Sequence, residues 1–133
     1  MARLVQIVID SSHPASLAKF WAAMLDEFEI RPYDGAEIAR LGRLGQTPET
    51  DPCVILDGAG LEICFQQTDC VPSAPRRPLH LDVASTDRAA EVVRAASLGA
   101  TTVASFDDHS WMRDPEGNDF CIVDARPNDV GGF

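Results

Sequence analysis

The feature that most constrains this sequence is that its order of strands and helices occurs twice. Residues 4–66 have the pattern of a strand, a helix and three strands, and residues 78–123 repeat that order after a proline-rich segment. Alternating apolar residues predict the strands, and apolar residues three and four apart predict the helices. We therefore predict an α+β fold of two βαβββ modules whose sheets bury their open faces around a shared cleft.

The repeat also sets the predicted boundaries within a single domain, 1–133. Module one spans about residues 3–67, a linker about 68–77, and module two about 78–125. Residues 34–51 mix glycine and proline with scattered apolar residues, so we predict a loop or flap there, either an ordered lid or a disordered segment.

The amino-acid composition limits the classes of partner that the protein is expected to bind. The formal net charge is -10, which argues against nucleic acid or an anionic membrane, because phosphate binding requires clusters of Lys and Arg. No apolar run approaches the roughly 20 residues of a membrane span, and the first residues lack the pattern of a secretory signal. The four cysteines include no C-x-x-C pair. We expect a cytoplasmic protein with reduced thiols and a small-molecule ligand.

Two strands carry candidate functional residues. His80 and Asp82 alternate with Leu79, Leu81 and Val83, so they point away from the core face. A carboxylate beside an imidazole suits proton transfer, although Asp82 also fits an ordinary surface aspartate. In the earlier strand, Gln66 has the same parity as Glu62 and is expected to project into the same space.

Aromatic residues are candidates for contacting a ligand. Phe20 and Trp21 recur at helical spacing, which is typical of core residues, but the pair also suits stacking against a ligand. Trp111, in a short strand of module two, has the same two interpretations.

Three stretches resemble the glyoxalase/bleomycin-resistance/extradiol-dioxygenase group, the vicinal oxygen chelate superfamily. They are Val8-Ile9-Asp10 leading to Phe20-Trp21, Leu79-His80-Leu81-Asp82-Val83, and Asp114-Pro115-Glu116-Gly117-Asn118. The last is the most specific, and the details are most similar to the subgroup described as glyoxalase-like domain. The resemblance implies the paired βαβββ fold and often a homodimer.

In metal-using members of this superfamily, four ligands come from the first and fourth strands of each module. The resemblance puts Gln6, Glu62, His80 and Cys121 at those places, for a divalent ion such as Zn, Ni or Fe; otherwise no cofactor is expected. The family usually has Glu, both ligand and base, where this chain has Cys121. That departure argues against true glyoxalase I activity.

Two functions follow from these residues. One is an enzyme acting on a small oxygenated metabolite by metal or acid/base chemistry, with Glu62, His80 and Asp82 as catalytic residues. The other is a non-catalytic protein of the same fold that binds a small molecule such as an antibiotic. A relative that keeps the fold but has lost its site is a third alternative.

Overall fold

The predicted βαβββ order occurs in both halves of the chain, which gives an α+β fold. The computed structural model describes Leu4, residues 6–67 and residues 81–125. The chain divides into two units, Met1–Val71 and Pro72–Phe133. His80, the predicted linker at 68–77 and the C-terminal tail lie outside the described residues.

The first unit holds a four-stranded sheet in the order β1-β4-β3-β2. The strand β1 runs parallel to β4, and the other two pairs are antiparallel. Its elements are β1 (Gln6–Ser11), α1 (Pro14–Met24), β2 (Glu29–Ile30), α2 (Gly35–Arg43), β3 (Cys53–Asp57) and β4 (Glu62–Gln67).

The helix α1 covers one face of this sheet. Pro14 opens it, at a position where the missing N–H costs no hydrogen bond. Phe20 and Trp21 are only 4% and 2% exposed, and their rings meet edge to face with centroids 5.3 Å apart. This burial is that of core residues, the interpretation that helical spacing favours, and a contact of the pair with a ligand stays a prediction.

The prediction of a loop or flap over residues 34–51 was wrong for its first half, which forms the helix α2. Asp34 caps this helix by accepting a hydrogen bond from the Glu37 N–H at 2.8 Å. Leu41 is 1% exposed and is the apolar anchor of this helix, the residue that it buries. The glycines hid this helix, since they lower helix propensity while leaving the cap and the apolar anchor intact.

The second unit holds a sheet in the order β5-β8-β7-β6, with β5 parallel to β8. Its elements are β5 (Leu81–Ser85), α3 (Arg88–Ser97), β6 (Thr101–Ser105), β7 (His109–Arg113) and β8 (Asp119–Asp124). Asp87 caps α3 by accepting a hydrogen bond from the Ala90 N–H at 3.1 Å. Met112, Phe120 and Ile122, each fully buried, form the core beneath it.

The Asp114-to-Asn118 motif is a structural turn between β7 and β8. Asp114 is 3% exposed, and its Oδ1 accepts hydrogen bonds from the N–H groups of Glu116 and Asn118, both at 2.9 Å. Its Oδ2 accepts from Asn118 Nδ2 at 2.7 Å, and Gly117 adopts a φ of 83°. Only glycine enters that region readily, so the motif sets the β7–β8 connection.

Among the described residues, no helix is long and apolar enough to cross a membrane.

Candidate functional site

The first sheet has one face under α1 and one face that the helix leaves open. Val54, Leu56, Ile63 and Phe65 are buried on the helix side. Alternation puts Gln6, Asp57, Glu62 and Cys64 on the open face. In the strand register Glu62 lies between Gln6 of β1 and Asp57 of β3, so neighbouring strands align three polar side chains in one row.

Glu62 is held from two sides. Its Oε2 accepts a hydrogen bond from Gln6 Nε2 at 3.0 Å, and its Oε1 accepts one from Arg31 Nη2 at 2.6 Å. Arg31 also donates to Asp57, from Nη2 at 2.6 Å and from Nε at 3.1 Å. We call Gln6, Arg31, Asp57 and Glu62 the Glu62 cluster.

One guanidinium serves two carboxylates in the Glu62 cluster. Hydrogen bonds from Arg31 hold the pKa of Asp57 below its ordinary value, and the two carboxylates together raise the pKa of Arg31. Counting one positive and two negative groups leaves one net negative charge. A cluster with surplus negative charge is suited to accepting a proton from a ligand.

Sequence reasoning found Glu62 and Gln6 but missed Arg31 and Asp57. The signal was present in the β3–β4 hairpin, because its short turn fixes which residues face each other. The turn pairs Asp57 with Glu62. Arg31 follows β2 and bonds its backbone N–H to the Ile55 carbonyl at 2.9 Å, which brings its side chain to both carboxylates.

Gln66, a predicted ligand-binding residue, lies further along the same strand. It pairs with Asp10 and Cys53 rather than with a member of the Glu62 cluster. It is exposed, and its parity puts it on the open face with Glu62, as the alternation predicts.

The second sheet also has an open face, opposite α3. There Asp82, Cys121 and Trp111 are aligned across β5, β8 and β7. Burial raises the pKa of the Cys121 thiol, and the charge of Asp82 adds to that effect. Cys121 is therefore a protonated, weakly nucleophilic thiol beside an exposed carboxylate.

Asp119 is a carboxylate of this face that sequence reasoning missed. It accepts hydrogen bonds from Trp111 Nε1 at 3.0 Å and from Arg113 Nε at 3.2 Å. Arg113 lies over the Trp111 ring, 5.7 Å from its centroid. Trp111, a predicted ligand-binding residue, is half-buried and fixed at both its nitrogen and one ring face.

The missed signal is a short repeat in the last strand of each unit. Glu62-Ile63-Cys64-Phe65 opens β4 and Asp119-Phe120-Cys121-Ile122 opens β8. The two acids therefore correspond, and so do the two cysteines. By this repeat Asp119, rather than Cys121, is the counterpart of Glu62.

The four proposed metal ligands are not assembled within either described sheet. Gln6 and Glu62 are adjacent in the first unit, Cys121 is in the second, and His80 lies outside the described residues. The Glu62 cluster does not fit a divalent cation, because the Arg31 charge lies 2.6 Å from Glu62 and would repel it. Within the described ranges no three His, Cys, Asp or Glu side chains are grouped to hold a metal.

A small cavity lies elsewhere in the first unit. It measures about 210 Å³ and is lined by residues of α1, β2 and β3 and by Tyr33, Pro48 and Glu49. Typical ligand pockets are larger, roughly 300–1,000 Å³. It includes none of the sequence-predicted site residues.

Comparison with solved structures shows the same fold in several proteins. A glyoxalase/bleomycin resistance protein/dioxygenase family enzyme from Burkholderia phytofirmans PsJN has a TM-score of 0.67 at 16% identity, over 94% of this chain and all of its own. The trypanothione-dependent glyoxalase I of Leishmania major has a TM-score of 0.63 at 15% identity, over 93% of this chain and 87% of its own. A glyoxalase/bleomycin resistance protein from Albidiferax ferrireducens T118 has a TM-score of 0.56 at 17% identity, over 94% and 100%.

A search of curated proteins found no significant match. The sequence model of the glyoxalase-like domain family matches residues 6–123, which span both βαβββ units. This chain therefore belongs to the glyoxalase-like domain family of the vicinal oxygen chelate superfamily.

Proposed function

We propose that this protein is an enzyme that moves a proton next to a carbonyl group in a small oxygenated metabolite, with Glu62 as the base. The observation that carries the proposal is the Glu62 cluster, in which Gln6 and Arg31 fix one carboxylate on the open face of the first sheet. A general base needs a defined position before its basicity matters.

Arg31 supplies the second requirement of this chemistry. Removing a proton beside a carbonyl leaves negative charge on its oxygen, and a fixed cation nearby stabilises that charge. The Arg31 side chain is 44% exposed, so a ligand oxygen can reach it while Asp57 holds the guanidinium in place. In this proposal Arg31 acts where metal-using relatives would employ a cation, and no step requires a metal.

Asp82 and His80, the other predicted catalytic residues, belong to the second unit's sequence and have no assigned step. Asp82 is exposed beside Cys121. A homodimer and a cytoplasmic location stay predictions, which sedimentation and cell fractionation can check.

The experiment is proton exchange in heavy water. A panel of α-hydroxy and α-oxo carbonyl compounds is incubated with the protein, and NMR follows deuterium uptake at the α carbon. We expect one class of compound to exchange above the buffer rate, and Glu62→Gln to lower that rate at least about 100-fold. Exchange that is lost on treatment with a chelator and regained with a divalent ion would contradict the metal-free proposal.

A second candidate, a non-catalytic small-molecule binder, is favoured by Trp111. Its ring lies on the open face of the second sheet with Arg113 above it and Asp119 at its nitrogen, an arrangement suited to holding an aromatic or cationic ligand. For a binder we expect ligands from an antibiotic panel to raise the melting temperature, Trp111→Ala to abolish that shift, and no compound to exchange protons.

A further inference from the structure

Two cysteines meet on the open face of the first sheet. Cys53 opens β3 and Cys64 lies in β4, and their Sγ atoms are 3.2 Å apart. The register pairs Cys53 with Gln66 and Ile55 with Cys64, so the two cysteines are diagonal neighbours on one face. The register of the β3–β4 hairpin therefore brings the two thiols together.

The two thiols differ in their surroundings. Cys53 is exposed, whereas Cys64 is 5% exposed. Burial, followed by the contact with Cys53, raises the pKa of Cys64 to about 12. Cys53 is therefore the thiol that an oxidant from solvent reaches, and Cys64 is the neighbouring thiol that solvent does not reach.

We propose that Cys53 and Cys64 form a reversible disulfide when the protein meets a peroxide. Cys53 is the residue that the peroxide reaches, and Cys64 is the residue that resolves the oxidised product. No step at this pair of cysteines requires the proton transfer proposed at Glu62.

The steps balance with hydrogen peroxide as the oxidant. The Cys53 thiolate attacks one peroxide oxygen, the O–O bond breaks, and a sulfenic acid and hydroxide form. The Cys64 sulfur then attacks the Cys53 sulfur, the S–O bond breaks, and the Cys64 proton leaves with the hydroxyl group as water. Two thiols have lost two electrons to the peroxide, and a dithiol reductant restores them.

Bond formation requires a small movement at the end of a strand. The sulfurs must close from 3.2 Å to about 2.05 Å, the length of a disulfide. Cys53 is the first residue of β3 and follows Pro52, so the shift is taken up where the strand begins. No other described cysteine lies within hydrogen-bonding distance of Cys121, which makes Cys121 the natural contrast.

The test uses the full chain carrying Cys70→Ser and Cys121→Ser, so that only Cys53 and Cys64 remain. Hydrogen peroxide is added near stoichiometry, free thiols are counted after denaturation, and the chain is cut after glutamate. Cleavage after Glu62 separates the two cysteines, so a disulfide leaves the two peptides joined, with a mass about 2 Da below their sum. We expect both thiols to be lost, the joined peptides to appear, and dithiothreitol to reverse both changes.

Two control experiments distinguish the proposed disulfide from other oxidation products. In the folded protein we expect the joined peptides to form at least about tenfold faster than in concentrated urea, because the fold holds the sulfurs together. Adding Cys64→Ser should replace the disulfide with a sulfenic acid at Cys53, trapped by dimedone. Equal rates in urea, a sulfinic acid at Cys53 with Cys64 still free, or Cys53-linked dimers would each overturn the proposal.

Discussion

The open faces of the two sheets are built on one plan but carry different charges. Each presents a carboxylate at the first residue of its last strand, held by an arginine and by one neutral N–H donor. In the first unit Glu62 is held by Arg31 and Gln6, and in the second Asp119 is held by Arg113 and Trp111. A duplicated fold has thus kept the position of an acid while changing its neighbours.

The two open faces differ in the residue that pairs with each acid on the neighbouring strand. Asp57 faces Glu62, whereas Arg113 faces Asp119. One arginine therefore serves two acids in the first unit and one acid in the second. The Glu62 cluster keeps a surplus negative charge, while the Asp119 pair is neutralised and fixed against an indole. The first is suited to proton transfer and the second to shaping a surface.

The largest expected effect tests whether the buried faces of the two sheets contribute equally to the stability of the protein. Phe65 and Phe120 are both fully buried. We expect Phe65→Ala and Phe120→Ala each to lower the free energy of unfolding by about 3–5 kcal/mol, measured by urea denaturation. A loss below about 1 kcal/mol for either would show that its unit lacks the packed core described here.

The next largest effect on stability is expected at the turns of the two β-hairpins, which depend on different residues. Asp114 accepts three hydrogen bonds in the second unit, so Asp114→Ala should cost about 1–3 kcal/mol of unfolding free energy. In the first unit a Cβ at Gly58 would collide with the Phe28 ring and lie 2.9 Å from the Leu61 carbonyl oxygen, so Gly58→Ala should also destabilise the fold.

Asp114→Asn is the matched control, because it keeps the acceptor for the two backbone N–H groups. We expect it to recover part of the stability. If Asn were no better than Ala, the turn would not depend on those two bonds.

Substituting the arginines should change the free energy of unfolding less, and by different amounts in the two units. Arg31 serves two carboxylates and Arg113 one. We expect Arg31→Met to cost more unfolding free energy than Arg113→Met, both within about 1 kcal/mol because the pairs are partly exposed. Equal losses in urea titrations at low salt would remove the distinction between the two clusters.

The pH dependence of the Arg31 effect has a defined sign. The pKa of Asp57 in the folded protein is below its ordinary value of 3.8, so its stabilisation is present above that pH and is lost as the pH falls through the folded value. Arg31→Met should therefore destabilise the protein at neutral pH and converge with the parent once the pH has fallen below the pKa of Asp57 in the folded protein. A constant difference across the acid range would show that Arg31 acts by packing alone.

Much of the fold followed from local pattern, and the misses have physical causes. Alternation predicted the strands of both units, since a half-buried strand imposes a period of two. The helix α2 was missed because its glycines hid a capped segment anchored by Leu41. Phe20 and Trp21 are buried, as helical spacing favours, although that spacing alone does not exclude a contact with a ligand.

The candidate site was predictable only in part. Glu62 and Gln6 were indicated by the family resemblance, and the structure places them in hydrogen-bonding contact. Arg31 and Asp57 required the register between strands, which depends on the hairpin turn and not on the pattern of any one strand. Asp119 was hidden because the family motif drew attention to Cys121, two residues later.

The measurement that tests the central claim most directly compares Glu62→Gln with Asp119→Asn in the α-proton exchange assay. These are matched changes, each replacing an acid by its amide at corresponding strand positions. The account predicts that Glu62→Gln lowers exchange at least about 100-fold, while Asp119→Asn stays within about tenfold of the parent chain. An equal or greater loss in Asp119→Asn would contradict the assignment of Glu62 as the working acid.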